Sequence, residues 1–380
     1  MSAVPTAPAA PRVPPAPAVT NNRVAAALLA LAAAEEPGGR ASAEYRAAAR
    51  TLRGLRTDLY GRRFALGSLP DVTSRAADAI GAFLASGSDD NVDDALAAML
   101  DRADPAARRK RDFLSRADAD RILSAPGGLS RADLCADLHL HTDRSDGRTP
   151  LPALHRALEN RGDRYALLTD HARDCAVAGG LFPGDFRAQR RELDLLNARS
   201  QTGFTMFLGA EANIAENGSL DVTPRCVPEI EAVVASVHTD LRSPRDQTAR
   251  LVRAIETPGV AILGHPKGRL YDVRSGIRAD WPRVFAVAAA RGVAIELNGC
   301  PERLDLPPAL ARLAADSGCL FSISSDAHTA AHLSFLDFGL AVARLVAIPV
   351  SRVVNTFSRE RFADWLEERR SEAPTHGGRA

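Results

Sequence analysis

The chain has 380 residues, of which 46% are hydrophobic and 25% are charged, and its formal net charge is +1. This length favours two domains with a sizeable core, and the near-zero charge excludes a chain that binds polyanions over its whole surface. No apolar run reaches the length of a membrane span, so we expect no association with a membrane.

The first 19 residues are rich in Pro and Ala and contain a single Arg. They lack a charged start and a continuous apolar core, so residues 1–19 are predicted to form a disordered tail, not a signal peptide. The five cysteines are scattered along the chain, which favours reduced thiols and a cytoplasmic location. No sequence feature indicates an obligate protein partner.

Residues 20–125 have helical periodicity and are predicted to form a small all-α domain. Turn-forming residues such as Pro37-Gly38-Gly39 separate segments that carry apolar residues at helical spacing. The predicted helices cover residues 22–36, 42–55, 71–84 and 93–100. A Pro- and Gly-containing linker at residues 125–128 then ends this domain.

The pattern changes at residue 133, after which short β-rich runs alternate with helical stretches up to residue 370. Such alternation predicts right-handed βα units around a parallel sheet, and therefore an α/β fold. Seven runs are predicted as strands, one fewer than in the common eight-stranded barrel. They are residues 136–141, 165–171, 204–211, 232–238, 260–265, 293–298 and 320–328. Residues 371–380 are predicted to form a second disordered tail.

Residue types that bind metals recur at the ends of these predicted strands. A parallel barrel delivers the carboxyl ends of its strands to one face, so we expect these side chains to meet there. His139 and His141 are two residues apart, and the two-residue period of a strand directs both at one ion. The predicted ligands are His139, His141, Asp146, His171, Glu211, His238, His265, Asp326 and His328.

This set of nitrogen and oxygen ligands exceeds what one ion needs, so we predict two or three divalent ions close together. A mixture of imidazole and carboxylate suits Zn, Mn and Fe alike. Each short motif alone is more often a matter of packing than of function. Buried imidazoles and carboxylates without ions or partners are costly, however, and the joint set therefore favours a multinuclear metallohydrolase.

The ordered motifs resemble those of the polymerase and histidinol phosphatase (PHP) superfamily. They are Asp137-Leu138-His139-Leu140-His141-Thr142, Ser145-Asp146-Gly147, Thr169-Asp170-His171, Gly209-Ala210-Glu211, Ser236-Val237-His238, Gly264-His265-Pro266 and Ser325-Asp326-Ala327-His328. The resemblance implies a distorted seven-stranded (β/α)7 barrel, with a domain at residues 133–370 that holds up to three ions. It also implies how the ligands divide: one ion on His139, His141, Glu211 and Asp326, a second on Glu211, His238 and His265, and a third on Asp146, His171 and His328.

Further strings resemble the PHP domain of bacterial family X DNA polymerases. They are Gly218-Ser219-Leu220-Asp221, His265-Pro266-Lys267-Gly268-Arg269, Glu296-Leu297-Asn298, Pro301-Glu302-Arg303-Leu304-Asp305 and Asn355-Thr356. The helical domain resembles the first domain of those polymerases, with residues 69–74 at the position of a helix-hairpin-helix turn. Asp71 in that turn would repel a DNA phosphate. No polymerase catalytic region fits between residues 125 and 133, so polymerase activity is excluded.

Four cations that follow or flank the fifth and sixth strand ends are the predicted contacts to a substrate phosphate. They are Lys267, Arg269, Arg274 and Arg303. Ordinary surface ion pairs explain Arg274 and Arg303 equally well. Lys267 and Arg269 are also assigned to catalysis, together with Asp137 and with Asp170, which would orient a His ligand or cap its loop. Water activated by the ions would attack phosphorus in line.

Three functions remain open from the sequence. The first is a phosphoesterase that acts on nucleic-acid ends, as a 3′-5′ exonuclease or a 3′ phosphatase, with DNA as a partner. The second is a small-molecule phosphomonoesterase of the histidinol-phosphatase type, which the near-neutral charge and the altered hairpin favour. The third is a non-enzymatic DNA-associated module, against which the complete ligand set argues.

Overall fold

The computed structural model describes residues 20–36, 38–59, 66–85, 113–172, 179–271 and 273–371. These residues lie in two compact units, one within Gly127–Leu270 and Gly276–Ala380 and the other within Arg12–Pro126 and Tyr271–Ser275. No helix of the described part is both long and apolar enough to cross a bilayer. The helix predicted at residues 93–100 and the tail predicted at residues 1–19 lie outside the described residues, as does the tail predicted at residues 371–380 except for Ser371, which is helical.

The smaller unit has four α-helices within the described residues. They are α1 (Asn21–Ala34), α2 (Arg40–Gly54), α3 (Ser74–Ala85) and α4 (Arg116–Ser124). α3 begins three residues later than the sequence predicts. The reason is local: Asp71 has a left-handed backbone with a φ of 59°, and the Thr73 hydroxyl accepts the N–H of Ala76 at 3.4 Å as a helix cap. The helix-hairpin-helix assignment stays a prediction.

The larger unit is built on one seven-stranded parallel sheet in which every strand pairs with its neighbour in sequence. This order confirms the predicted α/β fold with seven strands. The strands are β1 (Ala136–Asp137), β2 (Tyr165–Leu168), β3 (Thr205–Asn213), β4 (Ala232–Ser236), β5 (Val260–Gly264), β6 (Ala294–Asn298) and β7 (Leu320–Ser324). The helices are α5 (Leu151–Arg161), α6 (Pro183–Arg199), α7 (Thr248–Ile255), α8 (Trp281–Arg291), α9 (Pro308–Asp316), α10 (Leu336–Leu345) and α11 (Arg359–Ser371).

The prediction that β1 extends to residue 141 is wrong, because its regular pairing ends at Asp137. Side-chain oxygens replace the main-chain acceptors there. Thr169 Oγ1 accepts the N–H of Leu140 at 3.0 Å, and Asp170 Oδ1 accepts the N–H of Thr142 at 2.7 Å. The segment that carries both histidines is therefore a loop fixed by side chains from the end of β2.

The sheet closes between its first and last strands through a short seam. Leu140 pairs with Ala327, and the N–H of His141 donates to the carbonyl of Ala327 at 3.0 Å. Asn355 also connects the first and last strands: its Oδ1 accepts the N–H of Ile323, and its Nδ2 donates to the carbonyls of Ile323 and Ala136. The seam brings the loop after β7 beside the loop after β1.

Replacing Asn355 by Leu is expected to lower the free energy of unfolding of this unit by about 3 kcal/mol. The substitution leaves three buried main-chain groups without partners, at roughly 1–3 kcal/mol each before relaxation. Urea denaturation followed by tryptophan fluorescence measures the change, since both tryptophans, Trp281 and Trp365, lie in this unit. The exposed Ser351 of the same segment, changed to Ala, is the control. Equal stability of the two variants would contradict the role of Asn355.

Candidate metal centre

The carboxyl ends of the strands bring together all nine side chains predicted as ligands. The described residues contain four groups of three in which the ligand atoms lie within 4.8 Å of one another. The groups are His139, His141 and Asp326; His141, His171 and Glu211; His141, Asp146 and His328; and Glu211, His238 and His265. The structure therefore holds side-chain clusters that are able to bind metal ions.

Glu211 on β3 lies at the centre of the cluster and is buried. Its two carboxylate oxygens face different histidines. Oε2 lies 3.1, 3.4 and 3.2 Å from Nε2 of His139, His141 and His171, and Oε1 lies 3.2 and 2.8 Å from Nε2 of His238 and His265. The two oxygens thus face two separate sets of imidazoles, and the bridging of two ions by Glu211 stays a prediction.

Within the described residues, the cluster is exposed to solvent mainly at Asp146 and His328. Asp146 Oδ2 lies 3.2 Å from Nε2 of His328 and 3.7 Å from Nε2 of His171, and the side chains of Asp146 and His328 are 32% and 28% exposed. The side chains of His139, His141 and Asp326 are at most 2% exposed. A substrate phosphate therefore has access from the side of Asp146 and His328.

The donor set fits divalent ions. A carboxylate offers about four lone-pair positions, yet five imidazole nitrogens surround Glu211. His265 already lies at hydrogen-bonding distance from Oε1, and Nε2 of His238 is buried without a hydrogen bond among the described residues. Buried polar atoms of this kind are costly unless an additional partner is present. Divalent cations held by Glu211 and these imidazoles would supply that partner.

The electrostatics also suit cations. Burial would raise the pKa of Glu211, but the neighbouring His171 and His139 outweigh it and hold that pKa well below the usual value. Burial would also raise the pKa of Asp146, but the hydrogen bond with His328 outweighs burial and lowers that pKa to about 2. Burial lowers the pKa of His171 to about 3. The carboxylates are therefore ionised and His171 neutral at neutral pH, which are the forms that bind metals. Burial would lower the pKa of His139 and of His328, but the neighbouring carboxylates outweigh it and raise the pKa of His139 well above its usual value and that of His328 to about 9, so these two imidazoles must lose a proton when an ion binds.

Asp137 and Asp170, predicted as catalytic, hold the loops that carry ligands. Asp137 Oδ1 accepts the N–H of Ser325 at 3.0 Å, next to Asp326. Asp170 accepts the N–H and the hydroxyl of Thr142, the hydroxyl of Ser145 and the amide of Gln189. Asp170 thus caps the loop that leads from His141 to Asp146. A catalytic role for either carboxylate stays a prediction.

The four predicted phosphate contacts are placed differently from one another. Arg303 is part of the cluster, since its Nε lies 3.0 Å from Asp326 Oδ2. Arg269 is buried, and its guanidinium donates to the carbonyls of Arg303 and Leu304. The ammonium of Lys267 donates to the carbonyl of Ile277 at 3.1 Å. Arg274 lies in the segment that belongs to the other unit. Substrate binding by these residues stays a prediction.

The sequence motifs included Glu296 without assigning it a role. In the structure it is buried on β6, and its Oε1 lies 2.8 Å from Nδ1 of His139. A carboxylate within an apolar strand was the available signal, because an unpaired buried charge is costly and indicates a specific partner.

Comparison with known proteins finds relatives for more than half of the chain. A scan against protein-family models found no match. The chain is 32% identical over 223 residues to the DNA polymerase/3′-5′ exonuclease PolX of Bacillus subtilis (strain 168). This match covers 58% of this chain and 39% of the relative. It is 30% identical over 246 residues to a probable phosphatase of Edwardsiella ictaluri (strain 93-146), of which the match covers 94%. The chain belongs to the PHP superfamily.

This membership confirms the resemblance read from the ordered motifs. The PHP chain spans well under half the length of the B. subtilis relative but nearly all of the E. ictaluri one. Among solved structures, it is similar to histidinol phosphate phosphatase from Lactococcus lactis subsp. lactis, complexed with zinc, L-histidinol and phosphate. That similarity has a TM-score of 0.40 and 16% identity, and covers 54% of this chain and 93% of the other.

Proposed function

We propose that this PHP protein is a metal-dependent phosphoesterase whose substrate is a nucleic-acid end. The observation that carries the phosphoesterase activity is the nine-residue ligand cluster, exposed to solvent at Asp146 and His328. Two or three divalent ions, of Zn, Mn or Fe, fit these ligands. The preference for a nucleic-acid end rests on the similarity to PolX, whose name includes a 3′-5′ exonuclease.

Different residues of the chain would contribute to different parts of the hydrolysis. Bound ions would supply Lewis-acid polarisation of the phosphoryl group and activation of water. Glu211 and Asp326 would provide the negative charge that holds the ions, and both carboxylates are buried away from bulk water. Arg303, paired with Asp326 through Nε, has further N–H donors for a phosphate oxygen, since a guanidinium carries five. The exposed side at Asp146 and His328 would admit the ester.

A small-molecule phosphomonoesterase is the second candidate. It is favoured by the E. ictaluri probable phosphatase, which the chain matches over almost its whole length. The near-neutral net charge favours it as well, because binding to nucleic acid relies on contacts between basic residues and phosphates. Membership of the PHP superfamily argues against the third candidate, a non-enzymatic module.

The test compares two substrates with the same metal-loaded protein. One is an end-labelled DNA oligonucleotide and the other a small phosphomonoester, and Asp326→Ala serves as the blank. Shortening or dephosphorylation of the oligonucleotide by the wild type alone would support the nucleic-acid assignment. Release of phosphate only from the small ester would support the second candidate. Hydrolysis of neither with Mn²⁺ or Zn²⁺ would contradict both. DNA turnover should also fall as salt rises, because phosphate contacts release counterions.

A further inference from the structure

Glu296 contacts residues from two different ligand groups. Its Oε1 lies 2.8 Å from Nδ1 of His139, and its Oε2 accepts the main-chain N–H of His265 at 2.5 Å. His139 groups with Asp326, whereas His265 groups with Glu211. One buried side chain on β6 therefore spans two neighbouring ion positions.

The contact with His139 determines where that ring carries its proton. An ionised carboxylate only accepts hydrogen bonds, so a neutral His139 must be protonated on Nδ1. The lone pair is then on Nε2, the atom that lies 3.1 Å from Glu211 and 3.9 Å from Asp326. A neutral imidazole in this tautomer is the form that can bind an ion at Nε2.

The contact with His265 holds a strained main chain. His265 has a φ of 23° and Asp326 a φ of 54°, values in the left-handed region that residues other than glycine rarely adopt. Glu296 Oε2 fixes the N–H of His265. Asn298, two residues along β6, donates through Nδ2 to Glu296 Oε2 at 3.2 Å and to Asp326 Oδ2 at 3.1 Å. Glu296 and Asn298, on one face of β6, thus hold the main chain of His265 and the side chain of Asp326.

We propose that Glu296 is a positioning residue that organises two ion positions at once. It holds the ring proton of His139 on Nδ1 and fixes the main chain of His265, so that one side chain organises both positions. The inference rests on the metal centre of the proposed function. It does not depend on which ester is hydrolysed, and its test measures ion binding, so it can fail or succeed independently of the substrate assignment.

The isosteric variant Glu296→Gln separates the two contacts. An amide has one accepting oxygen and one donating nitrogen, so it cannot accept from both His139 and the N–H of His265. If its oxygen faces His265, its NH₂ meets Nδ1 of His139 and moves the ring proton to Nε2. If it flips, its NH₂ opposes the N–H of His265. One ion position is impaired in either orientation.

The measurement is competition for Mn²⁺ or Zn²⁺ against a chelator of known affinity, with bound metal counted by elemental analysis. Affinity is expected to fall about 10- to 100-fold in Glu296→Gln, the loss typical of a removed partner of a metal-binding histidine. Excess metal should restore occupancy, which a collapsed fold would not allow. Glu231→Gln is the matched control, because that carboxylate also accepts a main-chain N–H, from Leu208, directly before β4 begins. Wild-type affinity in Glu296→Gln would overturn the proposal.

A second measurement is made on the wild-type protein, so it does not require that a Glu296 variant folds. Histidine-labelled wild-type protein loaded with Zn²⁺ is examined by ¹⁵N NMR, and the His139 signals are identified by their loss in His139→Gln. A proton on Nδ1 is the expected result. A proton on Nε2 of His139 would refute the proposal, whatever the binding data gave.

Discussion

Replacing Glu211 by Gln is expected to reduce kcat/KM by roughly 10²- to 10³-fold and to remove ions from two positions of the centre. The reduction is of the size seen when a charge-stabilising group is deleted from a water-excluded site. The two oxygens of Glu211 lie within 3.4 Å of the Nε2 atoms of five histidines, three at Oε2 and two at Oε1. A neutral amide keeps the shape but loses the charge and one of the two accepting atoms.

The experiment compares wild type, Glu211→Gln and Glu231→Gln. Steady-state kinetics and the metal content after dialysis are measured for each. Glu231 pairs with Arg190 and receives the N–H of Leu208, outside the ligand groups, so its variant should match the wild type in both assays. A Glu211→Gln protein that retained its full metal content and activity would rule out a bridging role. Loss of activity with full metal content would instead assign Glu211 to the reaction and not to ion binding.

The sequence predicted the larger unit well because its information is local and periodic. Short apolar runs alternate with helical stretches, and every predicted strand is present in the predicted order. The ligands could be predicted for a related reason. A parallel arrangement places all carboxyl ends at one face, so strand-by-strand recurrence of His, Asp and Glu indicates a common site.

What the sequence did not predict depends on contacts between distant segments. The end of β1 is set by oxygens of Thr169 and Asp170, which lie about thirty residues further along the chain. The role of Glu296 depends on its contacts with His139 and His265, neither of which is close to it in sequence. Spacing along the chain contains no information about such pairs.

The direction in which an arginine side chain points is a further feature that the sequence did not predict. The position of Arg269 near a strand end predicted a phosphate contact, whereas Arg303 was left open between a phosphate contact and an ordinary ion pair. In the structure Arg303 pairs with Asp326, whereas Arg269 is buried against the carbonyls of residues 303 and 304. A long flexible cation can reach either a ligand or a loop, and only the packing around it decides which.

We therefore expect different effects from two substitutions: Arg303→Met should mainly lower activity, and Arg269→Met should mainly lower stability. Arg303→Met should lower kcat/KM by roughly 10²-fold, since it removes a charge-assisted donor beside the site of reaction. Its ion content and thermal midpoint should stay near those of the wild type, because Asp326 still has an ion as its partner. Arg303→Lys should recover only part of the activity, since an ammonium cannot bind Asp326 and phosphate with the fork geometry of a guanidinium.

Arg269→Met should act mainly on stability. It leaves the buried carbonyls of Arg303 and Leu304 without their donor, at a cost of about 3 kcal/mol, and lowers the thermal midpoint of the larger unit. Because those carbonyls belong to the segment that presents Arg303, activity should also fall, but it should recover in conditions that stabilise the fold, such as added osmolyte. The reverse pattern, with a stable Arg269→Met protein whose KM alone rises, would mean that Arg269 turns toward the substrate when the ester binds. Thermal unfolding and substrate-saturation curves on the same preparations distinguish the two outcomes.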